Sequence, residues 1–176
     1  MPARLDADRV AAGIWARATA RRDGLPAVPS ADDKLPGIRE SLAREGASLL
    51  FAARGDRTSG FALVAPHGPA LEVVYLAVDP ECWGEGVGRE LLASVGGAAR
   101  ESGHAVAELW VLADNDRAIR TYERAGWLDT GERAVRNAAG RLERRYVIDV
   151  GTPDLRTARP SEPATRSAPP ATGSSR

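Results

Sequence analysis

The chain has 176 residues, with 24 basic and 24 acidic side chains, so its formal net charge is zero. That length suits one domain with a buried core, and balanced charge gives no pull toward nucleic acid or an anionic membrane. A single cysteine, Cys82, excludes an internal disulfide, and no apolar run is long enough to span a bilayer.

The N-terminus carries arginines but no unbroken apolar segment of signal-peptide type, so a cytoplasmic location is expected. Asp6 or Asp8 is placed to cap a first helix, with Val10, Ile14, Trp15 and Ala18 on one side, running to about Arg22. Gly24-Leu25-Pro26 stops it. Residues 25–34 read as a loop, and a short helix follows over Gly37 to Arg44. Ser48 to Arg54 and Ser59 to Ala65 form a predicted hairpin around Gly55-Asp56.

The next stretch organises the chain. Leu71 to Val78 is an apolar, β-branched run of strand length, broken by Asp79-Pro80. Gly84-Glu85-Gly86-Val87-Gly88 follows, and Val87, Leu91, Leu92, Val95, Ala98 and Ala99 then recur at helical spacing. A glycine-rich turn opening a helix presents N–H groups without intrahelical partners at the positive end of the helix dipole. Such a turn is an anion site, and phosphate is its commonest occupant.

Ala105 to Leu112 is a further strand, and Asp114 or Asn115 caps a helix whose Ala118, Ile119, Tyr122 and Ala125 share a face before Gly126 ends it. Trp127 to Val135 and Leu142 to Val150 are late strands joined through Asn137 to Gly140. Residues 1–150 make one domain. From 151 to 176 proline, serine, threonine, alanine and arginine dominate, which predicts a disordered tail.

Two nucleotide motifs are tested by spacing. A dinucleotide fingerprint needs a third glycine where Arg89 stands and a loop directly after its strand, whereas Asp79 to Trp83 intervene. A Walker loop needs Lys-Ser or Lys-Thr after its last glycine, and this chain has Arg89-Glu90. Both fail.

Val74-Tyr75-Leu76-Ala77-Val78-Asp79-Pro80, then Gly84-x-Gly86-x-Gly88 and Leu91-Leu92, resembles the acetyl-coenzyme A motif of the GCN5-related N-acetyltransferase (GNAT) family. Leu109 to Trp127, with Asn115-x6-Tyr122, resembles that family's second block. The resemblance implies an α/β fold: a mixed, twisted sheet of about six strands, splayed between Leu71–Val78 and Val106–Leu112 and flanked by helices. It also implies acetyl-CoA as co-substrate, its diphosphate on the amides of Gly84, Glu85, Gly86, Val87, Gly88 and Arg89. Leu76, Ala77 and Val78 would pair with the pantetheine arm, with an N–H near Leu76 facing the thioester oxygen. Asn115 is carried over as a coenzyme contact and, on capping grounds, equally as a helix cap.

Tyr122 matches the family's general acid: a phenol near pKa ~10 can protonate a thiolate whose conjugate acid is near ~8.5. Glu72 lies where some members carry a catalytic base. The chain departs from the family at Trp83, where Arg or Gln is usual, and at its start, where the first strand is short or missing. The implied reaction is acetyl transfer to a primary amine of a small molecule or protein N-terminus by direct attack. The residues 23–40 and 135–141 would flank the acceptor groove. No metal, nucleic acid or membrane partner is expected, and a homodimer is an allowed assembly. The alternatives are a non-catalytic acyl-CoA sensor or an enzyme acting on aminoacyl-tRNA.

Overall fold

The β-branched stretch around Val73 lies at the centre of a sheet that is paired on one side throughout and on the other only in part. In the computed structural model, residues 4–151 are described. In chain order they form α1 (Arg4–Asp23), α2 (Ala31–Leu42), β1 (Ser48–Arg54), β2 (Arg57–His67) and β3 (Ala70–Val78). A single 3-10 turn at Pro80–Cys82 precedes α3 (Val87–Glu101), β4 (Val106–Leu112), α4 (Asp116–Arg124), β5 (Leu128–Val135) and β6 (Leu142–Asp149). The six strands form one mixed sheet in the order β1-β2-β3-β4-β6-β5, antiparallel except for β3 beside β4.

Both faces are covered around the middle. Val87, Leu91, Leu92, Val95 and Ala99 recur on one side of α3 because 3.6-residue periodicity stacks them there. Leu92, Val95 and Ala99 pack with α4 against Val73, Leu109, Val111 and Tyr146 of the sheet, and Val87 and Leu91 pack with Ala52 and Cys82. On the opposite face, Ile14 of α1 and Leu35 and Ile38 of α2 pack onto Phe61, Leu63 and Ala77. Each such fully buried aliphatic side chain contributes roughly 1.5–3 kcal/mol. Double coverage also explains why β2 from Ser59 to Ala65 is buried without alternation.

The sheet opens at a defined residue. The β2–β3 ladder slips by one between Val64↔Val73 and Leu63↔Tyr75, leaving Val74 as an extra residue. The parallel ladder between β3 and β4 runs only from Ala70↔Val106 to Val73↔Leu109. A bulge bends its strand and sharpens the local twist, so the bulge begins where the parallel pairing ends. Meanwhile β4 stays paired to β6 as far as Leu112↔Glu143. Leu76–Val78 and Trp110–Leu112 therefore form the two lips of a gap, the splay expected from the sequence.

Some expectations are corrected. α2 starts at Ala31, six residues before the predicted Gly37, because Ser30 and Asp33 form a capping box that outweighs Pro36 in the helix interior. α1 already runs from Arg4, so neither Asp6 nor Asp8 precedes it; Asp8 instead accepts from Arg39 Nε at 2.6 Å. Among the described residues no strand precedes α1. Trp127 is a core residue just before β5. The proposed tail beyond Gly151 lies outside the described residues.

Candidate active site

Asp79 ends β3 and anchors the turn that leads into α3. Its carboxylate is fully buried and accepts from Arg17 Nε and Nη2 at 3.0 and 2.8 Å, and from Arg57 Nη2 at 2.9 Å. It also caps the short turn by accepting from the Glu81 amide at 3.2 Å. Burial pushes its pKa up, but Arg17, the Glu81 amide and Arg57 together outweigh it and hold the carboxyl below the usual range. Trp83 continues the anchoring, its Nε1 donating to the Val78 carbonyl at 2.8 Å.

The chain then turns through Gly84 (φ 90°) and Gly86 (φ 80°), left-handed conformations that a side chain would strain. Gly86 is the N-cap of α3 and offers no side-chain cap. The first α-helical bond of α3 is from the Glu90 amide to the Gly86 carbonyl, at 3.1 Å. Among the described residues the amides of Val87, Gly88 and Arg89 thus have no backbone acceptor, the state in which a helix N-terminus can receive an anion. The Glu85 amide is different: it points back to the Cys82 carbonyl at 3.4 Å.

Facing this loop across the gap is α4. Asn115 caps it, Oδ1 accepting from the Ala118 amide at 3.3 Å. One helix face carries Ile119 and Tyr122 into the core, where the Tyr122 ring lies 6.4 Å from Trp127 and 6.2 Å from Tyr146. Tyr146 donates its hydroxyl to Glu123 at 3.2 Å, whereas Tyr122 makes no side-chain hydrogen bond among the described residues. Burial pushes the Tyr122 hydroxyl up to about 12.

The gap between these walls is a cleft of about 830 Å³, a size suited to a large organic ligand. It is lined by Leu76, Ala77, Val78, Gly84, Gly86, Val87, Gly88, Arg89, Asn115 and Tyr122. Those ten sequence-predicted residues are brought together; Glu85 and Glu72 are not among the lining residues. Glu72 is 6 % exposed, with one oxygen accepting from Arg44 Nη1 at 3.1 Å and the other from Arg136 Nη2 at 2.9 Å. Beside it, Glu108 accepts from Arg145 and is joined to His67 Nδ1 at 2.5 Å. Burial opposes ionisation of Glu108, but His67 and Arg145 prevail and lower its pKa.

The sequence points to residues 23–40, with Asp23, Asp32 and Asp33 able to attract a cationic amine, and to 135–141 as flanks of the acceptor groove. It does not reveal the ion pairs that join the two segments at the mouth of the cleft. Asp23 at the end of α1 pairs with Arg22 at 2.7 Å and with Arg141 at 3.3 Å, and Arg141 also grips both oxygens of Asp114 at 2.8 Å. This chain of charges joins the α1 end to the β5–β6 connection. No local pattern announces it, since Asp23 and Arg141 lie 118 residues apart.

Comparison with known proteins decides the family: residues 15–127 match the acetyltransferase (GNAT) family model. The chain belongs to the GNAT acetyltransferase family. It is 40 % identical over 84 residues to the mycothiol acetyltransferase of Clavibacter sepedonicus, covering 47 % of this chain and 28 % of that one. It is 38 % identical over 101 residues to the mycothiol acetyltransferase of Gordonia bronchialis, covering 56 % and 32 %. The chain thus spans about a third or less of these curated relatives. Among solved structures, yncA from Salmonella typhimurium with its cofactor acetyl-CoA aligns at a TM-score of 0.63 and 18 % identity, covering 87 % of this chain and 95 % of that one. The cleft of this GNAT domain carries, among the described residues, main-chain amides without backbone acceptors at Val87, Gly88 and Arg89. Among the described residues no helix is long and apolar enough to cross a membrane.

Proposed function

We propose that the cleft transfers the acetyl group of acetyl-CoA to a primary amine of a small molecule by direct attack. The observation that carries this reading is the parting of β3 from β4 after Val73, which leaves main-chain groups of Leu76–Val78 free in the same cleft that Tyr122 of α4 lines. The diphosphate rests on the amides of Gly84 and Gly86 to Arg89, and the pantetheine arm pairs along Leu76–Val78 as an added strand. The amine nitrogen bonds to the thioester carbon. A β3 N–H near Leu76 stabilises the oxygen as charge develops, and the C–S bond then breaks.

Tyr122 donates to the departing sulfur. With the phenol at about 12 and a thiol at its aqueous ~8.5, complete proton transfer is uphill by about 5 kcal/mol. The same desolvation raises the thiol and narrows that difference. Tyr122 therefore acts first as a hydrogen-bond donor to developing sulfide charge and is reprotonated from solvent.

The proton from the amine goes to water. Both oxygens of Glu72 are committed to guanidinium groups, so neither can take a proton without breaking an ion pair; we assign Glu72 to holding Arg44 and Arg136. Arg136 in turn lies over the Trp110 ring, its Cζ 4.8 Å from the centroid, at the opposite lip of the gap.

A small-molecule acceptor is favoured because the curated relatives are mycothiol acetyltransferases and because Asp23 and Asp114 flank the mouth. Thiol release from acetyl-CoA across a panel of amines, beginning with the acceptor of mycothiol acetyltransferases, tests the reading. Turnover with one amine and little with the others supports it; no amine-dependent thiol release sinks it.

A further inference from the structure

The loop lacks a side-chain cation at Trp83, yet a cation sits over that ring. Arg117 Cζ lies 4.1 Å from the Trp83 centroid, and the indole is held in place by its hydrogen bond to the Val78 carbonyl. We infer that Arg117, stacked on Trp83, is a diphosphate-binding residue that makes the enzyme select the full coenzyme over its pantetheine fragment. This rests on the cleft being the acetyl-CoA site.

The position of Arg117 follows from helix geometry. Thr121 stands one turn further along α4 and donates its hydroxyl to the Arg117 carbonyl at 3.0 Å. A Cβ placed on Gly88 would lie 3.3 Å from Thr121 Cγ2. The α4 face bearing Thr121 and Arg117 is therefore pressed against the start of α3. Arg117, Trp83, Gly84, Gly86 and Gly88 all line the same cleft.

Electrostatics then ask for an anion. Arg117 is in the first turn of α4, where the helix dipole disfavours a cation. The positive end of α3 lies alongside. Among the described residues Arg117 forms no ion pair, whereas Arg22 and Arg141 of the same cleft are tied to Asp23 and Asp114. A guanidinium held over an indole ring by cation–π attraction keeps N–H groups available for phosphate oxygens. An anion gripped there also joins the loop wall to the α4 wall.

The test compares acetyl-CoA, acetyl-3′-dephospho-CoA and S-acetylpantetheine with one amine acceptor, in wild type and in R117M. Methionine keeps the apolar cover of the indole and removes the charge. The preference in kcat/KM for acetyl-CoA over S-acetylpantetheine is expected to fall at least about tenfold, as for a lost charge-assisted hydrogen bond. The preference for acetyl-3′-dephospho-CoA over S-acetylpantetheine should fall as much. R117M should unfold with little shift from the wild-type midpoint, because no ion pair is lost and only an exposed cation–π contact is. An unchanged acetyl-CoA preference overturns the inference, and so does a fall confined to acetyl-CoA, which would place the 3′-phosphate on Arg117. Absence of wild-type turnover would instead strike the assignment of the cleft itself.

Discussion

Glu72 on β3 and Glu108 on β4 are register partners across the parallel pair, 6 % and 2 % exposed; Glu72 is paired with Arg44 and Arg136, and Glu108 with Arg145 and the His67 ring. Buried like charges directly opposite one another are unfavourable, so the arginines are structural counter-ions. Glu72→Gln should cost about 1–2 kcal/mol in urea unfolding and leave kcat within about threefold. A hundredfold fall in kcat in a fully folded variant would return Glu72 to the role of base.

Tyr122→Phe removes one oxygen from a packed site and should leave coenzyme A affinity within about twofold. Its kcat should fall by about 10²–10⁴, the usual worth of a positioned acid. Because the wild-type hydroxyl stays protonated up to about 12, the pH profile of kcat/KM should rise with deprotonation of the acceptor amine. It should show no alkaline decline from this group below pH ~10. A tyrosine-dependent decline near pH 8–9 would contradict the role given to burial.

Asp79 has a lowered pKa in the folded chain. Its contribution to stability is therefore present above the unfolded value near ~3.9 and is lost as pH falls through the folded value. Asp79→Asn should destabilise by about 1–3 kcal/mol at pH 7, the half-exposed arginines limiting the cost. The difference from wild type should shrink on acidification below pH 4. A constant difference between pH 7 and pH 3 would show that packing, and not charge, is what the asparagine disturbs.

Arg141 ties the α1 end to Asp114 through exposed pairs, which are worth little to stability. Arg141→Ala should leave unfolding within about 1 kcal/mol of wild type. The KM for the amine should change at least threefold while the KM for acetyl-CoA stays constant. A change in the acetyl-CoA KM alone would place Arg141 on the coenzyme side of the cleft.

How legible the molecule was depended on the range of each signal. The turn from Asp79 to Gly88 and the Asn115–Tyr122 helix are local patterns, and their resemblance to the two GNAT motifs marked the ten residues that line the cleft. The gap itself depends on a one-residue bulge at Val74, which no composition or period marks. Pro36-Gly37 disguised α2, because its start is set by Ser30 and Asp33 upstream. Glu72 read as a free strand carboxylate, since neither Arg44 nor Arg136 is near it in sequence. Arg117 was equally hidden: its partner Trp83 registers in the sequence only as a missing cation.

The central claim is that Leu76–Val78 and the amides from Gly84 to Arg89 form the coenzyme's bed. Titration of the isotope-labelled chain with coenzyme A, followed through backbone amide resonances, tests it most directly. Saturable shifts should appear at Leu76, Ala77, Val78, Gly84, Gly86, Val87, Gly88 and Arg89, with an affinity of roughly micromolar to submillimolar order. Saturable shifts centred elsewhere, or none at millimolar coenzyme A, would contradict the account.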